Sequence, residues 1–119
     1  MGQKTVLICD DDEGIVDVAS IILRDAGFHV ITLTQSLEVV AMVKRMQPNL
    51  ILLDLWMPDL SGEELTQQLK ADIETKHIPV IVVSASRDTE KVAQTAGATD
   101  YMKKPFDIDQ LEEIVRKYA

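Results

Sequence analysis

The sequence predicts an α/β fold of the doubly wound kind, a five-stranded parallel sheet with helices on both faces. Three observations carry this. Five short apolar or β-rich runs recur along the chain, each followed by a segment with apolar residues at helical spacing. Two of these runs, Leu50–Leu53 and Val80–Val83, are apolar at every position, as expected of strands covered on both faces. The connections are short, with no linker, low-complexity tract or internal repeat. Strict alternation of strand and helix then implies parallel pairing through crossover helices. The 119 residues fit a single domain, 1–119, and leave no room for two.

The elements follow in order. Thr5–Cys9 is the first strand, ending in Asp10-Asp11-Asp12-Glu13. Ile15, Val18, Ile22 and Ala26, with Ala19 and Leu23 beside them, give the first helix its apolar face, and Gly27 stops it. Asp12 suits the N-cap, and the acids suit the positive end of the helix dipole. Phe28–Leu33 is the second strand. Ser36 is expected to cap a helix carrying Leu37, Val40, Ala41 and Val43, ending before Pro48. Leu50–Leu53 is the third strand. Ser61, with Glu64 three residues on, forms a capping box for a helix burying Leu65 and Leu69. Pro79 precedes the fourth strand, Val80–Val83, which leads into Ser84-Ala85-Ser86. Asp88 opens the fourth helix and Gly97 ends it. Asp100–Lys103 is the short fifth strand, followed by Lys104-Pro105-Phe106. Asp109–Tyr118 is the last helix, apolar at Leu111, Ile114 and Val115.

Five such units take the flavodoxin-like strand order 2-1-3-4-5 most naturally. Its switch point lies between the first and third strands, at the carboxyl edge where such sheets do their chemistry. Asp10-Asp11 and Asp54 stand there, with Asp54 entering a loop that contains Pro58, Ser61 and Gly62.

Composition narrows the function classes. Apolar residues make up 46% of the chain, with one tryptophan, two tyrosines and two phenylalanines, so the core is mostly aliphatic. The net charge is −8, without a basic cluster, which argues against nucleic acid or an anionic membrane as direct partner. Cys9 stands alone in an apolar run, so no internal disulfide forms, and it reads as a small buried hydrophobe. No apolar stretch approaches the roughly 20 residues of a membrane span. The N-terminus lacks signal-peptide character, and Val6 occupies the position where a myristoylation motif wants serine or threonine. The expectation is a soluble cytoplasmic protein.

Adjacent strands lie about 4.8 Å apart, so the acids at the tips of strands one and three converge within reach of one ion. Crowded carboxylates repel one another, and a divalent cation removes that cost. Hard oxygen donors at a shallow open site suit Mg²⁺, and the spacing is not that of an EF-hand. Ser84 adds a hydroxyl and Lys104 a point charge suited to phosphate oxygens. Taken singly, each has an ordinary reading: an acid ending a strand, a solvated helix cap, a strand terminator, a surface lysine. Together at one edge they form a set. Three carboxylates, one lysine and a divalent ion are neutral in sum, and such a site accepts a dianionic phosphoryl group. One carboxylate can attack phosphorus to form an acyl phosphate.

Asp10 and Asp11, the run Asp54-Leu55-Trp56-Met57-Pro58 with Gly62, Ser84-Ala85, and Lys104-Pro105-Phe106 together resemble the receiver domain of response regulators in two-component signalling (CheY-like), over the whole chain. The resemblance implies that Asp54 accepts phosphate from a histidine kinase or histidine phosphotransfer protein. Asp10 and Asp11 would hold Mg²⁺, with Asp54 and the main-chain carbonyl of Trp56. The first two aspartates are taken because they directly follow the strand. Ser84 would bond the phosphoryl oxygen and move toward it, and Lys104 would pair with the phosphoryl group or with Asp54. Tyr101 takes the switch-aromatic position and would turn inward, although a half-buried strand aromatic is an equal reading of that residue. The Lys104–Pro105 bond would be cis. Trp56 is bulky for its place and would shield an acyl phosphate from water. The surface of the fourth helix, fifth strand and fifth helix would contact a downstream target and pair two copies on phosphorylation. Both a free-standing regulator and a receiver attached to a longer kinase or regulator fit the resemblance.

Rival readings fare worse. A haloacid-dehalogenase-type phosphatase needs a second aspartate two residues after the nucleophile, where Trp56 stands. No P-loop, dinucleotide or flavin phosphate loop is present. A receiver-like interaction module that works without phosphorylation remains the alternative.

Overall fold

Each apolar run folds as a strand and each amphipathic segment as a helix in the computed structural model, which describes residues 2–119. The elements are β1 (Thr5–Cys9), α1 (Glu13–Asp25), β2 (His29–Leu33), a 3₁₀ turn (Ser36–Glu38) leading into α2 (Val39–Met46), β3 (Leu50–Asp54), α3 (Gly62–Ala71), β4 (Val80–Ser84), α4 (Thr89–Ala96), β5 (Asp100–Lys103) and α5 (Ile108–Tyr118). The strands form one parallel sheet in the order β2-β1-β3-β4-β5.

Alternation along the strands divides the core into two layers. Val6 and Ile8 of β1, Leu50 and Leu52 of β3, and Ile81 and Val83 of β4 pack with Val16, Ala19 and Leu23 of α1 and Leu111 and Val115 of α5. Leu7, Cys9, Ile51 and Leu53 face the other way, toward Val39 and Val43 of α2 and Leu65 and Leu69 of α3. This two-sided cover explains why β3 and β4 are apolar without alternation. Burying each leucine contributes about 1.5–3 kcal/mol.

Helix ends follow local chemistry. Ser61 and Glu64 form the capping box of α3, and Asp107 with Gln110 forms another at α5. Gly97 closes α4 in the left-handed region at φ +84°, which glycine adopts without strain. Gln47 closes α2 the same way at φ +46°, before Pro48.

Two expectations need correction. The buried face of α1 is Val16, Ala19, Ser20 and Leu23, whereas Val18 is 59% exposed. This helix is apolar on most of its circumference, so two stripes compete. The stripe with small residues at 19 and 20 wins because it lies close on the sheet, and Ser20 satisfies its own hydroxyl on the Asp17 carbonyl (2.9 Å). Ser36 does not cap a helix through its side chain. A 3₁₀ turn precedes α2, turning Val39 and Val43 inward and leaving Leu37 exposed. Asp88 opens α4 at the N-cap position and Gly97 ends it, as expected; the Asp88 carboxylate receives the Ser86 hydroxyl and makes no bond to the helix amides. Lesser shifts also occur at element ends: β3 and β4 each run one residue further than expected, β2 starts at His29, and α5 begins at Ile108.

Candidate functional site

Register assembles the carboxyl edge. Cys9 of β1 pairs with Leu53 of β3, so Asp10 and Asp54 follow side by side. Asp54 pairs with Val83 of β4, and Ser84 pairs with Lys103 of β5, which brings Lys104 to the same edge. Asp10, Asp54 and Ser84 each stand one step beyond a buried apolar residue, Cys9, Leu53 and Val83, and Lys104 directly follows the end of β5.

The side chains converge. Carboxylate oxygens of Asp10, Asp11 and Asp54 all lie within 4.8 Å of one another. Asp10 and Asp54 are 3% and 7% exposed, and Asp11 faces solvent. Lys104 Nζ donates to Asp10 Oδ2 (2.7 Å) and to Asp54 Oδ1 (3.2 Å), bridging the two strands. Asp10 Oδ1 also accepts the Asp12 amide (2.9 Å). The third aspartate is committed elsewhere: Asp12 Oδ1 caps α1 by accepting the amides of Gly14 (2.9 Å) and Ile15 (3.3 Å). That assignment separates Asp12 from the pair that precedes it.

Electrostatics at this edge are unbalanced. Burial, and then the neighbouring Asp10 charge, push the Asp54 carboxyl up to about 6, against the pull of Lys104. For Lys104, burial disfavours the charge, but the hydrogen bonds and charges of Asp10 and Asp54 prevail and hold its pKa above the ordinary value. Ser84 is buried, and its Oγ accepts the Ser86 amide (3.0 Å). Burial, with Asp10 and Asp54 next, pushes the Cys9 thiol up to about 12, so it stays protonated and donates toward Met57 Sδ (3.6 Å). Cys9 is therefore core.

The loop after β3 is held from several sides. Leu55 donates to the Val83 carbonyl (2.9 Å), and Gly62 donates to the Leu55 carbonyl (2.9 Å). Gly62 has room for no side chain, since a Cβ there would drive into the Asp54 carbonyl oxygen. Trp56 lies between these ties with its side chain 60% exposed. The Ser36 hydroxyl bonds Pro58 and Leu60 of this loop, a contact that no motif in the sequence announces. Across the site, the Lys104–Pro105 peptide is cis. An open groove beside Lys104 is lined by Ile15, Val18, Ala85, Pro105 and Phe106. Tyr101 is half-buried on β5, and its hydroxyl donates to Glu90 of α4 (3.2 Å).

Three carboxylates with hard oxygen donors, a lysine and a buried hydroxyl are groups of the kind that a divalent cation and a phosphoryl group can use. The family model of the response regulator receiver domain matches residues 6–116. The DNA-binding dual master transcriptional regulator RpaA of Synechocystis sp. is 37% identical over 113 residues, covering 93% of this chain but 47% of RpaA, so the chain spans about half of that relative's length. The polar-differentiation response regulator DivK of Brucella anthropi is 33% identical over 118 residues, covering 97% of this chain and 95% of DivK. The solved structure of a CheY-like response regulator receiver domain protein from Methanospirillum hungatei JF-1 superposes with a TM-score of 0.89 at 29% identity, covering 98% of this chain and 93% of that one. No helix among the described residues is long and apolar enough to cross a membrane. With this fold, this edge and these relatives, the chain belongs to the response regulator receiver domains, the signalling phosphoacceptors of two-component systems.

Proposed function

We propose that residues 1–119 work as one receiver domain in which Asp54 accepts a phosphoryl group from a histidine kinase or histidine phosphotransfer protein. The carrying observation is the convergence of Asp10, Asp11 and Asp54 oxygens within 4.8 Å, bridged by Lys104. The donor set fits Mg²⁺ through Asp10, Asp11, Asp54 and the Trp56 carbonyl. Bound there, the ion would supply the positive charge that lets a dianionic phosphoryl group approach these acids. Asp54, the last residue of the buried strand β3, would attack phosphorus. Its P–O bond forms as the P–N bond to the donor imidazole breaks. Lys104 then exchanges a carboxylate partner for a phosphoryl oxygen, and the Ser84 hydroxyl donates to another.

The groove lined by Ile15, Val18, Pro105 and Phe106 supports docking of the donor protein beside Lys104. Inward movement of Ser84 and Tyr101 would carry the signal to the surface of α4, β5 and α5, where a downstream target or attached domain, or a second copy, would bind. A cytoplasmic location fits this role. Trp56, exposed beside the site, would shield the acyl phosphate, so Trp56→Ala is expected to shorten its lifetime severalfold, measured as phosphate release. An unchanged lifetime contradicts that role.

Intact mass after incubation with acetyl phosphate tests the assignment. The parent is expected to gain about 80 Da only with Mg²⁺, and Asp54→Asn to gain nothing. No gain in the parent would favour a binding module that works without phosphorylation.

A further inference from the structure

Outside the acidic edge, one buried polar side chain does more than its own element requires. Ser36 is 3% exposed, on the 3₁₀ turn after β2. Its hydroxyl donates to the Pro58 carbonyl (2.6 Å) and accepts the Leu60 amide (3.0 Å). Those two groups also bond each other (3.0 Å), closing a three-residue turn around Asp59. Asp59 stands at φ +71°, a conformation that costs a non-glycine residue energy and that surrounding structure must hold in place. One hydroxyl therefore clasps both ends of the strained turn.

That turn closes the segment in which Trp56 follows Asp54. On the other side, the segment is fixed by the bond from Gly62 to the Leu55 carbonyl. We infer that Ser36 is a positioning residue for the cation site: its clasp on Pro58 and Leu60 sets the place of the Trp56 carbonyl relative to the Asp10, Asp11 and Asp54 carboxylates. The inference rests on the magnesium reading given above. The Pro58 and Leu60 groups also bond each other, so neither loses its only partner when the Ser36 hydroxyl is removed.

Trp56 is the only tryptophan of the chain, so its emission reports on this loop directly. Ser20 supplies a matched control: it is also buried, and its hydroxyl bonds the Asp17 carbonyl within α1. Mg²⁺ titrations of the parent, Ser36→Ala and Ser20→Ala are followed by Trp56 emission and, independently, by calorimetry. Ser36→Ala is expected to weaken Mg²⁺ binding about three- to tenfold, with Ser20→Ala at the parent's value. Ser36→Thr, which keeps the hydroxyl, is expected to bind more tightly than Ser36→Ala. A change under about threefold in Ser36→Ala, or an equal loss in Ser20→Ala, overturns the positioning role. A parent that shows no Mg²⁺ binding by either method overturns the cation site itself, and the positioning role falls with it.

Discussion

Leu53 and Asp54 are neighbours in β3, and both are nearly inaccessible to water. Leu53 packs among aliphatic side chains and gains free energy from its burial. Asp54 loses hydration, faces the charge of Asp10, and receives only one half of the Lys104 ion pair in return. One step along the strand separates a position that stabilises the fold from one that strains it. The interior of the sheet and its carboxyl edge thus follow opposite rules, and the edge is tolerated because the interior is secure.

Substitutions can break or sharpen this contrast. The largest effect belongs to the interior. Leu7→Ala on β1 opens a cavity where the parent side chain is fully buried, and a loss of about 2–5 kcal/mol is expected in urea unfolding. Gly62→Ala acts where the two regions meet. Its new Cβ meets the Asp54 carbonyl, so the strand tip or the loop must shift. A loss of about 1–3 kcal/mol is expected, together with slower phosphorylation by acetyl phosphate. Stability and phosphorylation both at parental levels would show that Gly62 is free to vary. Asp12→Ala removes the α1 cap while leaving Asp10 and Asp11 in place. It is expected to cost about 1 kcal/mol in the same assay and to leave Mg²⁺ affinity unchanged. A large loss of affinity would instead place Asp12 among the ligands.

The interior was the more legible region. Strands covered on both faces announce themselves as unbroken apolar runs, and β3, β4 and the strand order followed from them. The strand-tip groups were legible because a crossover fold brings strand ends to one edge wherever they lie in sequence. What the sequence concealed depends on distance in the chain or on packing. The buried stripe of α1 is hard to read from sequence because Val18 and Ile21 extend its apolar surface to solvent. Ser36 resembles a cap in the sequence because its partners lie more than 20 residues away in another loop. Gly62 belonged to the recognised motif, but the close approach of its backbone to Asp54 emerges only in three dimensions.

The strain at Asp54 has a definite sign with pH. Its carboxyl titrates at about 6 in the fold, above the ordinary 3.8. Between about pH 4 and 6 the folded chain holds a proton that the unfolded chain has released, so stability falls as pH rises through that window and stays low above it. Asp54→Asn lacks this slope.

Thermal unfolding of the parent and Asp54→Asn at pH 7.5, with and without Mg²⁺, tests this most directly. Without the ion, Asp54→Asn is expected to be the more stable by about 1–2 kcal/mol. Mg²⁺ is expected to raise the parent's midpoint by several degrees and the variant's far less. If Asp54→Asn proved less stable than the parent without Mg²⁺, and both responded equally to the ion, Asp54 would be neither a strained acid nor a metal ligand.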